Sequence, residues 1–304
     1  MSYWNLGASL YVPATRADVL DVALGAKLAH ARSLIFCTED SIREADVPDA
    51  IDNLASMLAQ IKRTPNRLKF IRVRNPEVLR ILLGLRHIEN IDGFVLPKLT
   101  ADNLDSYVRL FADQGHRVTD FHLMPTLETK EVFNPDEMRK LCQQLSAPEL
   151  RPAILCLRIG GNDLLNLLGV RRSRHRTIYE SALGPTMANL VTIFRPNGFH
   201  LTSPVCEFLY DHEVLKRELE MDVEYGIYGK TAIHPDQIAL IEQAYAPSEQ
   251  DARMADAILQ PDASAVFNMY GTMCEVATHT EWAKGVVARG RRYGRQGTNL
   301  LKVA

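Results

Sequence analysis

The stretch Ile154-Leu-Cys-Leu-Arg158-Ile159-Gly160-Gly161-Asn162-Asp163-Leu-Leu decides the fold. An apolar run of strand length stops abruptly, a single carboxylate follows, and an apolar helical start comes directly after it. Upstream, Pro125-Thr-Leu-Glu128-Thr129 repeats the arrangement, with Glu128 as the carboxylate. A parallel barrel places functional residues at the carboxyl ends of its strands, so two such endings would present two oxygen ligands to one hard cation.

Working outward, short apolar segments recur at 9–12, 34–37, 68–73, 93–97, 121–127, 154–159, 199–205 and 226–233. Longer stretches with helical spacing lie between most of them, at 47–61, 101–112, 135–145 and 179–193. Eight strands alternating with helices predict an α/β chain folded as a (β/α)₈ TIM barrel. Periodicity alone also fits an open doubly wound sheet, but no Gly-x-Gly-x-x-Gly follows the first strand, which weakens a dinucleotide-binding version of it. After His234-Pro235 the pattern reads as helix only, with one helix from Ser248 to about 259 and another at 278–288. Ser248 and Asp251 resemble a helix cap. The expected organisation is a barrel over 1–245 and a C-terminal helical extension over 246–304.

The 304 residues, 46% apolar and 24% charged, suffice for one barrel with a tail. A formal charge of −2 points to neither nucleic acid nor a membrane surface. No apolar run is long enough to span a bilayer, so the expectation is a soluble, cytoplasmic protein. Cys37, Cys142, Cys156, Cys206 and Cys274 form no Cys-x-x-Cys pair, which argues against a zinc knuckle or redox motif.

The residues that follow the strands are Glu39, Asp40, Arg72, Lys98, Glu128, Asp163 and Lys230. Two carboxylates are a sparse but sufficient contribution for Mg²⁺, which keeps waters and takes further oxygens from its substrate. A 2-oxo acid could supply those oxygens, with the metal stabilising an enolate and Arg72 holding the oxyanion or a carboxylate. Plain structural roles compete: Asp163 as a helix cap, Glu128 as a solvated loop residue, Arg72 in a buried ion pair. His234-Pro235 reads first as a helix start. The basic runs 171–176 and 289–295 read as solvated surface, or as sites for the phosphates of a nucleotide-bearing substrate.

Taken together, these segments resemble the HpcH/HpaI aldolase and citrate lyase β-subunit-like family across nearly the whole chain. Leu10-Tyr-Val-Pro13 is similar to the family's Leu-Phe-Val-Pro-Gly, and Thr38-Glu39-Asp40-Ser-Ile to its Leu-Glu-Asp-Ala-Val. Ile71-Arg72-Val73, Phe94-Val-Leu-Pro-Lys98, Leu127-Glu128-Thr129, Gly160-Gly-Asn-Asp163-Leu and Gly229-Lys230-Thr-Ala-Ile-His234-Pro235 match in order. Each motif is short; their order and coverage make the resemblance specific.

The resemblance implies a usually oligomeric Mg²⁺-dependent carbon–carbon lyase or aldolase. Glu128 and Asp163 would be metal ligands, Arg72 the substrate and enolate contact, and Glu39 and Asp40 support through ordered water. Glu275, in Gly271-Thr-Met-Cys-Glu275, stands where the family has an Asp that can reach a neighbouring subunit's site. Its role there would be general acid–base catalysis. A homo-oligomer acting on a small 2-oxo acid or an acyl or acyl-coenzyme A substrate is therefore expected. Departures mark a divergent branch. Ala14 replaces a Gly, Cys37 replaces an Asp, and Asp18 and Val22 stand where an Arg and a Lys are common in coenzyme A-using relatives. The spacing from Glu128 to Asp163 is long, and Pro148 and Pro152 predict an extended loop around 145–151. Cys37 and Glu275 motivate a competing expectation, a barrel retained as a ligand-binding or assembly protein.

Overall fold

The computed structural model describes residues 2–296. Eight parallel strands build one sheet: β1 (Gly7–Pro13), β2 (Ser33–Cys37), β3 (Leu68–Arg72), β4 (Gly93–Leu96), β5 (His122–Leu127), β6 (Leu157–Ile159), β7 (Leu201–Thr202) and β8 (Gly229–Ala232). Their order is β7-β6-β5-β4-β3-β2-β1-β8. A parallel bridge joins Ser203 to Lys230, where the Ser203 N–H donates to the Gly229 carbonyl at 2.8 Å and draws the two ends of the sheet together. This is the expected TIM barrel, and each strand falls in a segment that the apolar pattern marks.

The strands read as nearly unbroken apolar runs because both faces of a parallel barrel are covered; every residue of β2 and β3 is buried. Helices α1 (Val19–Leu24), α2 (Val47–Leu58), α3 (Pro76–Leu83), α4 (Leu104–Asp113) and α5 (Pro135–Leu145) return the chain between successive strands. Next come α6 (Gly161–Leu167), α7 (Gly184–Phe194), α8 (His212–Glu224) and α9 (Asp236–Tyr245). Local chemistry starts α3 and α5 in the same way. Asn75 accepts from the Val78 N–H at 2.9 Å, Asn134 accepts from the Asp136 N–H at 3.0 Å, and a proline opens each helix. In α5, Met138, Leu141, Cys142 and Leu145 form the buried stripe, each such side chain contributing roughly 1.5–3 kcal/mol when buried. Phe94, Phe111 and Phe121 join β4 to the helix layer with ring centroids 5.2–5.9 Å apart.

Three local expectations are corrected. The helix expected over 179–193 starts later, at Gly184, after a 3-10 turn over Ile178–Glu180. Residues 146–150 do not form an extended loop but wind into tight turns, with the Ala147 carbonyl accepting from the N–H groups of Leu150 and Arg151. The tail is not helix only. A hairpin of β9 (Val266–Met269) and β10 (Thr272–Glu275) interrupts it, and its two-residue turn puts Tyr270 at φ 53° and Gly271 at φ 76°. Positive φ at both central residues is what a right-twisted hairpin requires.

The chain divides into two compact units, one ending at Ile238 and the other starting at Ala239. In the second, α10 (Glu249–Ile258) is capped by Ser248, whose hydroxyl accepts from the Asp251 N–H at 3.0 Å. With α11 (Val276–Tyr293) it encloses a small core of Ala255, Ile258, Cys274, Ala283 and Val286.

Candidate active site

A cavity of about 270 Å³ opens at the carboxyl ends of the barrel strands, lined by Tyr11, Arg72, Glu128, Arg158, Asp163 and Thr231 among others. A hollow of about 500 Å³ lies elsewhere, between α5 and α7, and none of its lining residues is acidic.

Arg72, the last residue of β3, is the hub of the mouth. Its guanidinium pairs with Glu39, with Asp40 at 3.2 Å and with Glu128 at 3.3 Å. Burial works against its charge, but the surrounding Tyr11, Glu128 and Glu39 outweigh that and hold it firmly protonated. Its Nε–H is buried and has no hydrogen-bond partner, an expensive state for a donor unless a ligand takes it. Lys98 reaches the same cluster from β4 in a left-handed conformation, φ 51°, which a non-glycine residue rarely adopts. That backbone lets one residue serve two carboxylates: its N–H donates to Glu128 at 2.8 Å and its Nζ to Glu39 at 2.7 Å.

Glu128 directly follows β5 and is 3% exposed. Burial pushes its carboxyl up to about 7; Arg72 opposes this, while Asp163 and Glu39 add to it. Asp163 is raised too, first by burial and then by Asp40. The sequence pattern left Asp163 as a cap or a ligand. Helix α6 begins at Gly161 with Gly160 as its N-cap, so Asp163 is the third helical residue and not the cap itself. The glycine before α6 has a packing reason: a Cβ at Gly160 would collide with Cβ and Oε2 of Glu128. Among the described residues, buried Glu39 and Glu128, half-buried Asp163 and exposed Asp40 face Arg72 and Lys98, and the surplus of negative charge suits a hard cation held by carboxylate oxygens. Mg²⁺ binds through one or two carboxylates plus water and substrate, a contribution that Glu128 and Asp163 at the mouth could make.

The family model described as "C-C_Bond_Lyase of the TIM-Barrel fold" matches residues 1–295. The chain belongs to this family. It is 26% identical over 252 residues, 81% of the chain, to a (3S)-malyl-CoA thioesterase of Cereibacter sphaeroides, covering 79% of that protein. Its fold is that of the CitE protein of Mycobacterium tuberculosis, whose crystals hold magnesium, acetoacetate and coenzyme A. The two are 21% identical with a TM-score of 0.70, covering 95% of this chain and 99% of the other. A citrate lyase from Burkholderia xenovorans LB400 superposes with a TM-score of 0.73 at 16% identity, covering 95% and 92%.

Within this family member, Glu39, Asp40, Arg72, Glu128 and Asp163 come together in one mouth. Glu275 lies in the second unit, where it ends β10 and accepts from the Thr278 hydroxyl at 2.8 Å. Lys230 does not reach the mouth: it is fully buried, bonded to Ser203 at 3.0 Å and paired with Glu218 at 3.2 Å. Cys37 lines the cavity from the end of β2. Val22 is in the core, and Asp18 is bridged by Arg16 at 2.8 Å and Lys27 at 2.9 Å. The run 171–176 is not all solvated surface, because Arg172 is buried, paired with Glu218 and donating to the Val205 carbonyl. No helix among the described residues is long and apolar enough to cross a membrane.

Arg158, Tyr11 and Thr231 were not singled out as site residues. Strand alternation was the available signal, since Arg158 sits between two buried apolar residues of β6.

Proposed function

We propose that this protein is a Mg²⁺-dependent carbon–carbon lyase acting on a 2-oxo acid or acyl substrate, with Glu128 and Asp163 holding the metal and Arg72 binding the substrate. The observation that carries this reading is the convergence of three carboxylates on one buried arginine that keeps a donor unused, with Asp163 close enough to feel its charge. When bound, Mg²⁺ supplies a Lewis acid that stabilises the enolate formed as the carbon–carbon bond breaks.

The chain's own residues do the rest. Glu39 and Asp40 hold the Arg72 guanidinium in place, and Lys98 steadies Glu39 in turn. Arg72 offers Nε–H to the oxygen that gains charge, and because the donor is preorganised it needs little reorganisation during the reaction. Glu128→Ala and Asp163→Ala should each abolish Mg²⁺ binding by calorimetry; binding unchanged in both variants would overturn the assignment.

The similarity to a thioesterase favours a second reading, hydrolysis of an acyl thioester in the same mouth. Incubation with acyl-coenzyme A compounds separates the two: free thiol without a carbon–carbon cleavage product supports hydrolysis.

A further inference from the structure

Arg158 is 2% exposed, lies on β6 and lines the cavity. Its polar contacts are a hydrogen bond from Nη2 to the Thr231 hydroxyl at 2.5 Å and a long contact of Nη1 with the Met124 sulfur at 4.0 Å. Its guanidinium carbon stands 5.6 Å from the Tyr11 ring centroid, and that of Arg72 stands 5.7 Å from the same ring. Arg72 has three carboxylate neighbours, whereas Arg158 is within ion-pair distance of none among the described residues. A buried guanidinium with no counter-ion is costly unless a ligand neutralises it, and its planar fork matches a carboxylate.

We propose that Arg158 is a specificity-determining residue that binds a second anionic group of the substrate, in the cavity it shares with Tyr11 and Arg72. The pocket therefore selects a dianionic 2-oxo acid over its monoanionic counterpart. Thr231 is a positioning residue: it fixes Nη2 and leaves the remaining guanidinium N–H groups for the ligand. This inference rests on the metal and 2-oxo acid reading of the mouth.

The two pairs oxaloacetate with pyruvate, and 2-oxoglutarate with 2-oxobutyrate, differ only in the distal carboxylate. Titrated into the Mg²⁺-loaded protein by calorimetry, the dianion of at least one pair should bind about tenfold to hundredfold more tightly, as charge-assisted hydrogen bonds allow. Arg158→Gln should erase that preference and leave the monoanion within about twofold, a change below one ordinary hydrogen bond. Arg158→Lys should restore part of it. Because no carboxylate is orphaned by the change, Arg158→Gln should also unfold at the same temperature as the parent or higher, whereas an arginine with a purely structural role would lower the melting temperature.

A parent protein without dianion preference, or a variant that weakens both members of a pair equally, overturns the role of Arg158. Mg²⁺-dependent binding of the monoanions in that case leaves the underlying metal reading standing. If no 2-oxo acid binds in the presence of Mg²⁺, both fall together.

Discussion

Two charged clusters of this barrel look alike in composition and differ in balance. Under α8, Arg172 and Lys230 meet Glu218 and Asp222, with every member at most 7% exposed. Charges match one for one, and neutral donors complete the set: Tyr179 and Ser203 donate to Asp222 at 2.5 and 2.8 Å, and the Ile178 N–H donates to Glu218 at 2.7 Å. At the mouth, four carboxylates face Arg72 and Lys98, a buried Nε–H is unused, and Lys98 holds a left-handed backbone. The first cluster balances its charge within the protein, although Arg172 there also keeps a buried Nε–H without a hydrogen-bond partner. The second carries an excess of negative charge, as our proposed cation site requires, and that imbalance is what separates a site from a brace in this reading.

The largest expected effect breaks the brace. Glu218→Ala leaves Arg172 and Lys230 short of one partner in a dry interior, and denaturant unfolding should show a loss of about 3–5 kcal/mol. Equal stability of the variant and the parent would show that this cluster is not a brace. At the mouth the pattern should invert. Arg72→Met should lower kcat about 10²- to 10³-fold, the effect of removing a preorganised oxyanion donor, while the unfolding midpoint falls by far less than in Glu218→Ala. Comparable losses of stability in the two variants would erase the distinction.

Next in size is a pH effect at the far end of the barrel, where His200 stacks on Tyr3 with centroids 4.1 Å apart. Burial, then Arg195 and Arg151, lower its folded pKa from 6.5 to about 4. The unfolded chain therefore binds the extra proton first. Stability is fully present above pH 6.5 and declines as pH falls toward about 4. His200→Gln should flatten that slope, measured as melting temperature against pH; an unchanged slope assigns it to other groups. The smallest expected effect is Gly271→Ala. At φ 76° in the hairpin turn, it should cost about 1 kcal/mol and leave Mg²⁺ binding at the barrel mouth intact.

Much of the architecture was legible in the amino-acid order. Segments covered on both faces read as apolar runs, and Glu128 and Asp163 were visible because a carboxylate abruptly ends such a run. The hairpin at 266–275 escaped because Tyr-Gly is a weak turn signal beside Asn-Gly, and its strands are only partly buried. The chain order also showed which charges follow strands, but not which way they point. Lys98 lies just past β4 and turns into the mouth through its unusual backbone, whereas Lys230 is the second residue of β8 and is buried beneath α8.

By itself, then, the sequence determined the barrel, its family and the carboxylates at the strand ends, because periodicity and local motifs are properties of neighbouring residues. Only the tertiary structure decided that Arg172, Lys230, Glu218 and Asp222 balance, that the mouth does not, and that Arg158 stands beside Tyr11 without a counter-ion among the described residues. Charge balance is a sum over residues as far apart in the chain as Tyr11 and Thr231, and closure of the ring brings those terms together.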